Sequence, residues 1–212
     1  MIPAQSAHAP ARLGILGGTF DPPHLGHLIV ARDAAEALEL DRVLLVLAAR
    51  PPLKSRATTP AELRLQMLEA ALADDPVLEA SDLEMRREGP SFTVDTLAEL
   101  RALYPDTELV LLIGADQWRQ LASWKDPVGI ARLARVAVMA RSGESQASVD
   151  PGVPVTSRTV PVTRIDVSAT EVRARVRQGR SIRHLVPEGV RRIIEREALY
   201  APPAVQHAQA QA

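Results

Sequence analysis

At 212 residues, 46% of them hydrophobic, the chain is large enough to bury the core of one α/β domain. A net charge of −1 argues against a bulk nucleic-acid binder, and the absence of cysteine removes disulfides, thiolate catalysis and cysteine-ligated zinc. No apolar run approaches the length of a membrane span, and the first residues lack a basic stretch followed by an apolar one, so a soluble cytoplasmic protein is expected with no membrane partner.

Residues 1–10 and 201–212 are rich in alanine, proline and glutamine without periodicity and read as disordered tails, leaving 11–200 as one domain. The apolar run Leu13–Leu16 reads as a buried strand. It is followed by Gly17-Gly18-Thr19-Phe20-Asp21-Pro22-Pro23-His24-Leu25-Gly26-His27, and then by an amphipathic helix over Leu28–Leu40. Two glycines allow a sharp turn and a close approach of bare backbone to a ligand. His24 and His27 sit at the mouth of the helix, where free N–H groups and the helix dipole favour anions. The segment therefore reads as a phosphate site with imidazoles built in, although it matches neither G-x-G-x-x-G nor the pattern ending in G-K-[ST]. The plainer alternatives are a pair of histidines that cap a helix or fill a polar niche, or a zinc pair. The latter lacks a third ligand at suitable spacing, so no metal site is expected.

The second strand, Val43–Ala48, leads into Pro51-Pro52-Leu53-Lys54. Of the 25 basic residues only two are lysine, Lys54 and Lys125, and both fall in motifs, which hints that a compact ammonium is wanted there. Thr59-Pro60-Ala61-Glu62 predicts a helix start with a capping box and proline at the first helical position. Residues 84–97 read as a strand end and turn leading into a helix, and on pattern alone an ordinary capped turn serves equally well. After a strand at Leu109–Ile113 comes Gly114-Ala115-Asp116-Gln117-Trp118-Arg119-Gln120-Leu121-Ala122-Ser123-Trp124-Lys125, which holds both tryptophans of the chain. Trp124 suits a core role, and Trp118, between polar residues, suits a flat face for stacking a ligand.

Further strands are expected at Val136–Ala140 and Thr159–Ile165, with a polar, mobile loop over Ser142–Thr156 between them. Ser168-Ala169-Thr170-Glu171-Val172-Arg173 is a second capping box. Its local reading is a helix cap with a surface arginine; its functional reading is a clamp in which hydroxyls, free N–H groups and a guanidinium fork meet a phosphate. Pro187-Glu188 opens a last helix with Val190, Ile193, Ile194 and Leu199 on its apolar side. Strand and helix alternate throughout, and four of the strands are nearly continuous apolar runs. This predicts an α/β fold with a doubly wound (Rossmann-like) parallel sheet that binds ligands beyond the carboxyl ends of its strands.

The first strand with G-G-T-F-D-P-x-H-x-G-H, and the late S-x-T-x-x-R, resemble the HxGH nucleotidyltransferase superfamily. Within it the chain is similar to bacterial nicotinate-nucleotide adenylyltransferases, through Pro51–Lys54, residues 87–97 and residues 114–125. Leu53 stands where that family has histidine, Phe92 where it has tyrosine, and Val167 where it has isoleucine. The resemblance implies transfer of AMP from ATP to nicotinate mononucleotide, with Mg²⁺ carried on ATP. It implies that His24 and His27 contact ATP phosphates and that Arg173, with the amides near Ser168, holds the departing pyrophosphate. Gly17, Gly18, Thr19, Phe20, Gly26, Lys54 and Thr170 complete the implied ATP side. Thr93, Asp116, Trp118 and Arg119 make the implied nicotinate-nucleotide side. Transfer of AMP or CMP to another phosphate acceptor, and a non-catalytic nucleotide-binding regulator, are the rival readings. Self-association into a homo-oligomer stays open.

Overall fold

The computed structural model describes residues 9–51, 58–141 and 150–202. Six parallel strands, β1 (Arg12–Gly18), β2 (Arg42–Leu47), β3 (Leu78–Ser81), β4 (Glu108–Gly114), β5 (Arg135–Arg141) and β6 (Ser157–Val162), form one sheet in the order β3-β2-β1-β4-β5-β6. The chain runs outward from β1 to β3 and then returns to β4 on the other side of β1. The strand order therefore reverses between β1 and β4, and their carboxyl ends border the crevice where such sheets bind ligands.

Alternation along the strands feeds two cores. Leu16, Leu45, Leu47 and Leu112 face α1 (Leu25–Leu38) and α2 (Ala61–Leu72). Leu13, Ile15, Leu44, Val46, Leu111 and Ile113 face α3 (Thr93–Leu103) and α5 (Pro127–Leu133). Burial on both faces is why these strands read as continuous apolar runs. A third cluster joins Met67 of α2 to Val172 of α6 (Ala169–Arg177) and to Val190, Ile193 and Ile194 of α7 (Glu188–Arg196). At Gly189 a Cβ would come within 3.0 Å of the Ala70 carbonyl, so this glycine sets how closely α7 lies on α2.

Several boundaries differ from the expectation, each for a local reason. The last strand stops at Val162 because the Thr163 N–H donates to the Asp33 carboxylate (2.6 Å) instead of a strand partner. α2 begins at Ala61 with Pro60 in an extended conformation and without a side-chain cap, so the predicted box does not form. α1 begins three residues earlier than predicted, at Leu25, and Leu199 packs on the third cluster from beyond the end of α7. Of the loop expected to be mobile, residues 142–149 lie outside the described residues, while Val153 and Val155 pack on the second core. Pro10 is buried, and its carbonyl accepts a hydrogen bond from Thr107 (2.7 Å), so ordered packing begins inside the stretch read as a tail.

Candidate active site

His24 caps α1 in an extended conformation and turns its own N–H toward Nδ1 of His27 (3.2 Å), while the His27 N–H donates back to the His24 carbonyl (2.9 Å). Because Nδ1 of His27 accepts, Nε2 is the ring nitrogen that carries a proton and can donate. The two rings stack with centroids 3.7 Å apart. Gly26 makes the stack possible, since a Cβ there would lie 3.1 Å from the His24 ring. His24 is 7% exposed, and burial pushes its pKa down to about 4, so it is neutral at pH 7. Its Nδ1 is buried with no hydrogen-bond partner among the described residues. The first helical N–H, that of Leu25, is taken by the Leu185 carbonyl (3.0 Å).

The loop leaving β1 is not uniform. At Gly17 a Cβ would meet nothing within 4 Å, so its backbone faces open space. At Gly18 it would meet the Phe20 ring at 2.6 Å. Phe20, at a left-handed φ of 47°, is 2% exposed, belongs to the first core and meets His27 edge-on at 5.1 Å. The Phe20 ring is therefore sealed under Gly18 and props His27, which leaves its backbone as the part that can line a nucleotide.

Arg64 was not singled out by the motifs, yet it organises the region. It is 1% exposed and donates to four carbonyls, from Nε to Thr59 (2.8 Å), from Nη1 to Thr19 (2.9 Å) and Ala48 (2.8 Å), and from Nη2 to Ala49 (3.1 Å). Burial lowers its pKa, with Asp21, Tyr200 and Glu62 opposing the shift. The one sequence signal is its place on the buried stripe of α2 with Met67 and Leu68, three and four residues on, where an apolar side chain is expected.

Arg173 lies one turn into α6. Its Nη1 donates to the Asp21 carbonyl (2.5 Å) and its Nη2 to the Thr170 hydroxyl (3.1 Å), bringing the late motif onto the first loop. Ser168 Oγ accepts from the Glu171 N–H (3.1 Å), so it caps the helix as the local reading expected. Lys54 lies outside the described residues.

The other half of the crevice is joined to this one by a paired contact. Arg50 N–H donates to Ser91 Oγ (3.2 Å) and Ser91 N–H to the Arg50 carbonyl (3.0 Å). Thr93 begins α3, and Lys125 clamps that turn by pairing with Asp95 (2.8 Å) and lying 4.9 Å over the Phe92 ring. Buried Thr96 donates to Glu84 (2.6 Å) and accepts from Arg87 (3.1 Å), fixing the turn from behind. Asp116 and Arg119, on the short helix α4 (Ala115–Arg119), are exposed and ion-paired to each other. Trp118 between them is 4% exposed and packed in the second core, whereas Trp124 is half-buried. Trp124 packs against that same core, as the sequence suggested, and Trp118 offers no open stacking face in this structure.

Residues 15–175 match the cytidylyltransferase-like family. The "Probable nicotinate-nucleotide adenylyltransferase" of Thermus thermophilus is 44% identical over 194 residues, covering 89% of this chain and 99% of that protein. The relative of the same name from Exiguobacterium sibiricum is 42% identical over 190 residues, covering 90% of this chain and 99% of its own. The chain belongs to the nicotinate-nucleotide adenylyltransferase family. Its fold is shared with the solved structure of Plasmodium falciparum nicotinic acid mononucleotide adenylyltransferase complexed with NaAD, at a TM-score of 0.74 and 17% identity, covering 89% of this chain and 97% of that one. The cytidylyltransferase-like match ends just past Arg173, so α7 and Tyr200 of this adenylyltransferase lie beyond it.

Proposed function

We infer that the chain catalyses adenylyl transfer from ATP to nicotinate mononucleotide, giving nicotinate adenine dinucleotide and pyrophosphate in NAD biosynthesis. The observation that carries the reading is the stacked His24–His27 pair at the start of α1, reached by Arg173 through the Asp21 carbonyl, in a chain of this family. A phosphate oxygen of the mononucleotide attacks the α-phosphorus of ATP, and the bond to the β-phosphate oxygen breaks. The attacking phosphate is already ionised, so no protein nucleophile is required, and catalysis rests on positioning and charge stabilisation.

In this reading His27 offers its Nε2–H to the transferred phosphoryl group. Neutral His24 backs it through the ring stack. Gly17 and Thr19 let the nucleotide lie against the backbone, and Arg173 with Thr170 takes the pyrophosphate side. Thr93, Asp116 and Arg119 take the nicotinate nucleotide. Trp118 supports that segment from the core, and a stacking role for it requires the indole to leave this packing. Among the described residues no group of three or more His, Asp or Glu could hold a metal ion, and Mg²⁺ enters as part of the Mg–ATP substrate. No helix among the described residues is long and apolar enough to cross a membrane. A cytoplasmic location is part of the same proposal.

In this reading backbone N–H donors near Thr93 and Trp118 meet the nicotinate carboxylate, which accepts on both oxygens, whereas nicotinamide would leave a donor facing a donor. Nicotinate mononucleotide is therefore expected to be preferred over nicotinamide mononucleotide by at least about 10²-fold in kcat/KM. Pyrophosphate release with the two mononucleotides at saturating Mg–ATP measures this. A preference below tenfold removes the nicotinate assignment and leaves the adenylyl transfer standing.

A further inference from the structure

Asp21 sits at the centre of the loop between β1 and α1 and is 7% exposed. A carboxylate so buried needs donors. Its Oδ2 accepts from the Thr59 N–H (3.4 Å), and its Oδ1 accepts from the hydroxyl of Tyr200 (2.6 Å), 179 residues away along the chain. The carbonyl of the same Asp21 receives Nη1 of Arg173 (2.5 Å). One residue therefore joins the end of the chain, the approach to α2 and the arginine assigned to the pyrophosphate side.

The backbone that delivers the phenol is unusual. After α7 ends, Ala198 and Tyr200 both adopt left-handed conformations, with φ of 48° and 62°. Non-glycine residues seldom take this conformation, and two within three positions persist only where the surroundings fix them. Leu199 between them packs on the third cluster, and its N–H donates to the Ile194 carbonyl (2.9 Å). Burial and the hydrogen bond to Asp21 both push the phenol's pKa up, so Tyr200 stays protonated and remains a donor. A tyrosine used only to fill the third cluster would need neither this backbone nor this contact.

We propose that Tyr200 is a positioning residue for adenylyl transfer: its hydroxyl fixes the Asp21 carboxylate, and through the Asp21 carbonyl it sets the Arg173 guanidinium for the pyrophosphate group. The proposal rests on the reading of Arg173 given above. It makes the C-terminal segment after α7 part of the active site, although the phenol touches no substrate.

The test uses the full chain and the Tyr200→Phe variant, which keeps the ring in the third cluster and removes one O–H. Turnover is expected to fall about tenfold, the scale of one hydrogen bond to a charged group. The dissociation constant for inorganic pyrophosphate, read by calorimetry, is expected to rise several-fold, with KM for the mononucleotide within about twofold of the parent. In an Arg173→Lys background the same change should have little further effect, because the two residues act in one chain of contacts. All rates are read well below each variant's melting temperature, so a merely structural loss appears in the melting curve and leaves pyrophosphate binding alone. Pyrophosphate binding within twofold of the parent, or losses that multiply in the Arg173→Lys background, would overturn the proposal. The binding arm needs no acceptor, so an enzyme that prefers another mononucleotide still returns an answer on Tyr200.

Discussion

His24 is 7% exposed, and its pKa is held near 4 instead of 6.5 by burial alone, which makes it a liability in acid. Above about pH 6.5 the ring is neutral in both folded and unfolded chains and adds no pH dependence to stability. Below that, the unfolded chain takes up a proton that the folded chain refuses until the pH nears 4. Stability therefore falls with pH across that window, by about 1.4 kcal/mol per pH unit and about 3 kcal/mol in all. Between pH 6.5 and pH 5, denaturant titrations are expected to show the parent losing about 2 kcal/mol more than His24→Gln. Equal losses would mean that the folded protein protonates His24 readily, contrary to its burial. The same neutrality bears on catalysis. At pH 7 His24 brings a flat face for His27, and among the described residues Arg173 and, deeper, Arg64 bring positive charge to the site.

At the level of elements, the first turn of α2 ties the exits of two strands together. Arg64 reaches the Thr19 carbonyl after β1, those of Ala48 and Ala49 after β2, and that of Thr59 before α2. Removing the guanidinium leaves four carbonyls without their donor, each costing about 1–3 kcal/mol if it stays dry. Arg64→Met is expected to lose about 3–5 kcal/mol, since some of those groups rehydrate. Arg64→Lys should recover only part of this, because one ammonium cannot span carbonyls on both sides of a planar fork. Equilibrium unfolding measures both, and a methionine variant within 1 kcal/mol of the parent would show the staple to be dispensable. This contact also shows where sequence reading runs out. His24, Gly26 and His27 were legible because ring stack, spacer and helix cap lie within four residues. Arg64, Asp21 and Tyr200 act through backbone carbonyls or partners far along the chain; the buried stripe of α2 marks Arg64 and the first motif contains Asp21, but neither pattern tells what the residue holds. The burial of the Phe20 and Trp118 rings was illegible for a related reason: beside a motif an aromatic ring suggests a ligand, while at the top of a doubly buried sheet the core holds it. β3 escaped because it is a short edge strand in which Leu78 alone is buried, and α4 and α5 are too short to display a helical period.

Across the whole molecule the sheet divides the labour. The side proposed for the phosphates, with Phe20, His27, Arg64 and Arg173, is supported by the core shared with α1 and α2 and by the cluster under α6 and α7. The side proposed for the mononucleotide, with Thr93 and the segment from Asp116 to Arg119, is supported by the opposite core, where Trp118 packs with Leu121, Ile113 and Ile130. The two halves meet at the strand-order reversal between β1 and β4, so a defect on one face should reach the other face only through stability. Trp118→Ala tests this division. An indole 4% exposed leaves a large void when truncated, and the expected loss is about 3–5 kcal/mol. The void lies directly beneath Asp116 and Arg119, so KM for the mononucleotide should rise at least about tenfold as that short helix loosens. In the proposed reading ATP meets the other face, and its KM should stay within about twofold. Kinetics below the lowered melting temperature, with each substrate varied in turn, give the comparison. Equal increases in the two KM values would mean that the crevice is one mechanical unit and that the sheet does not insulate its halves.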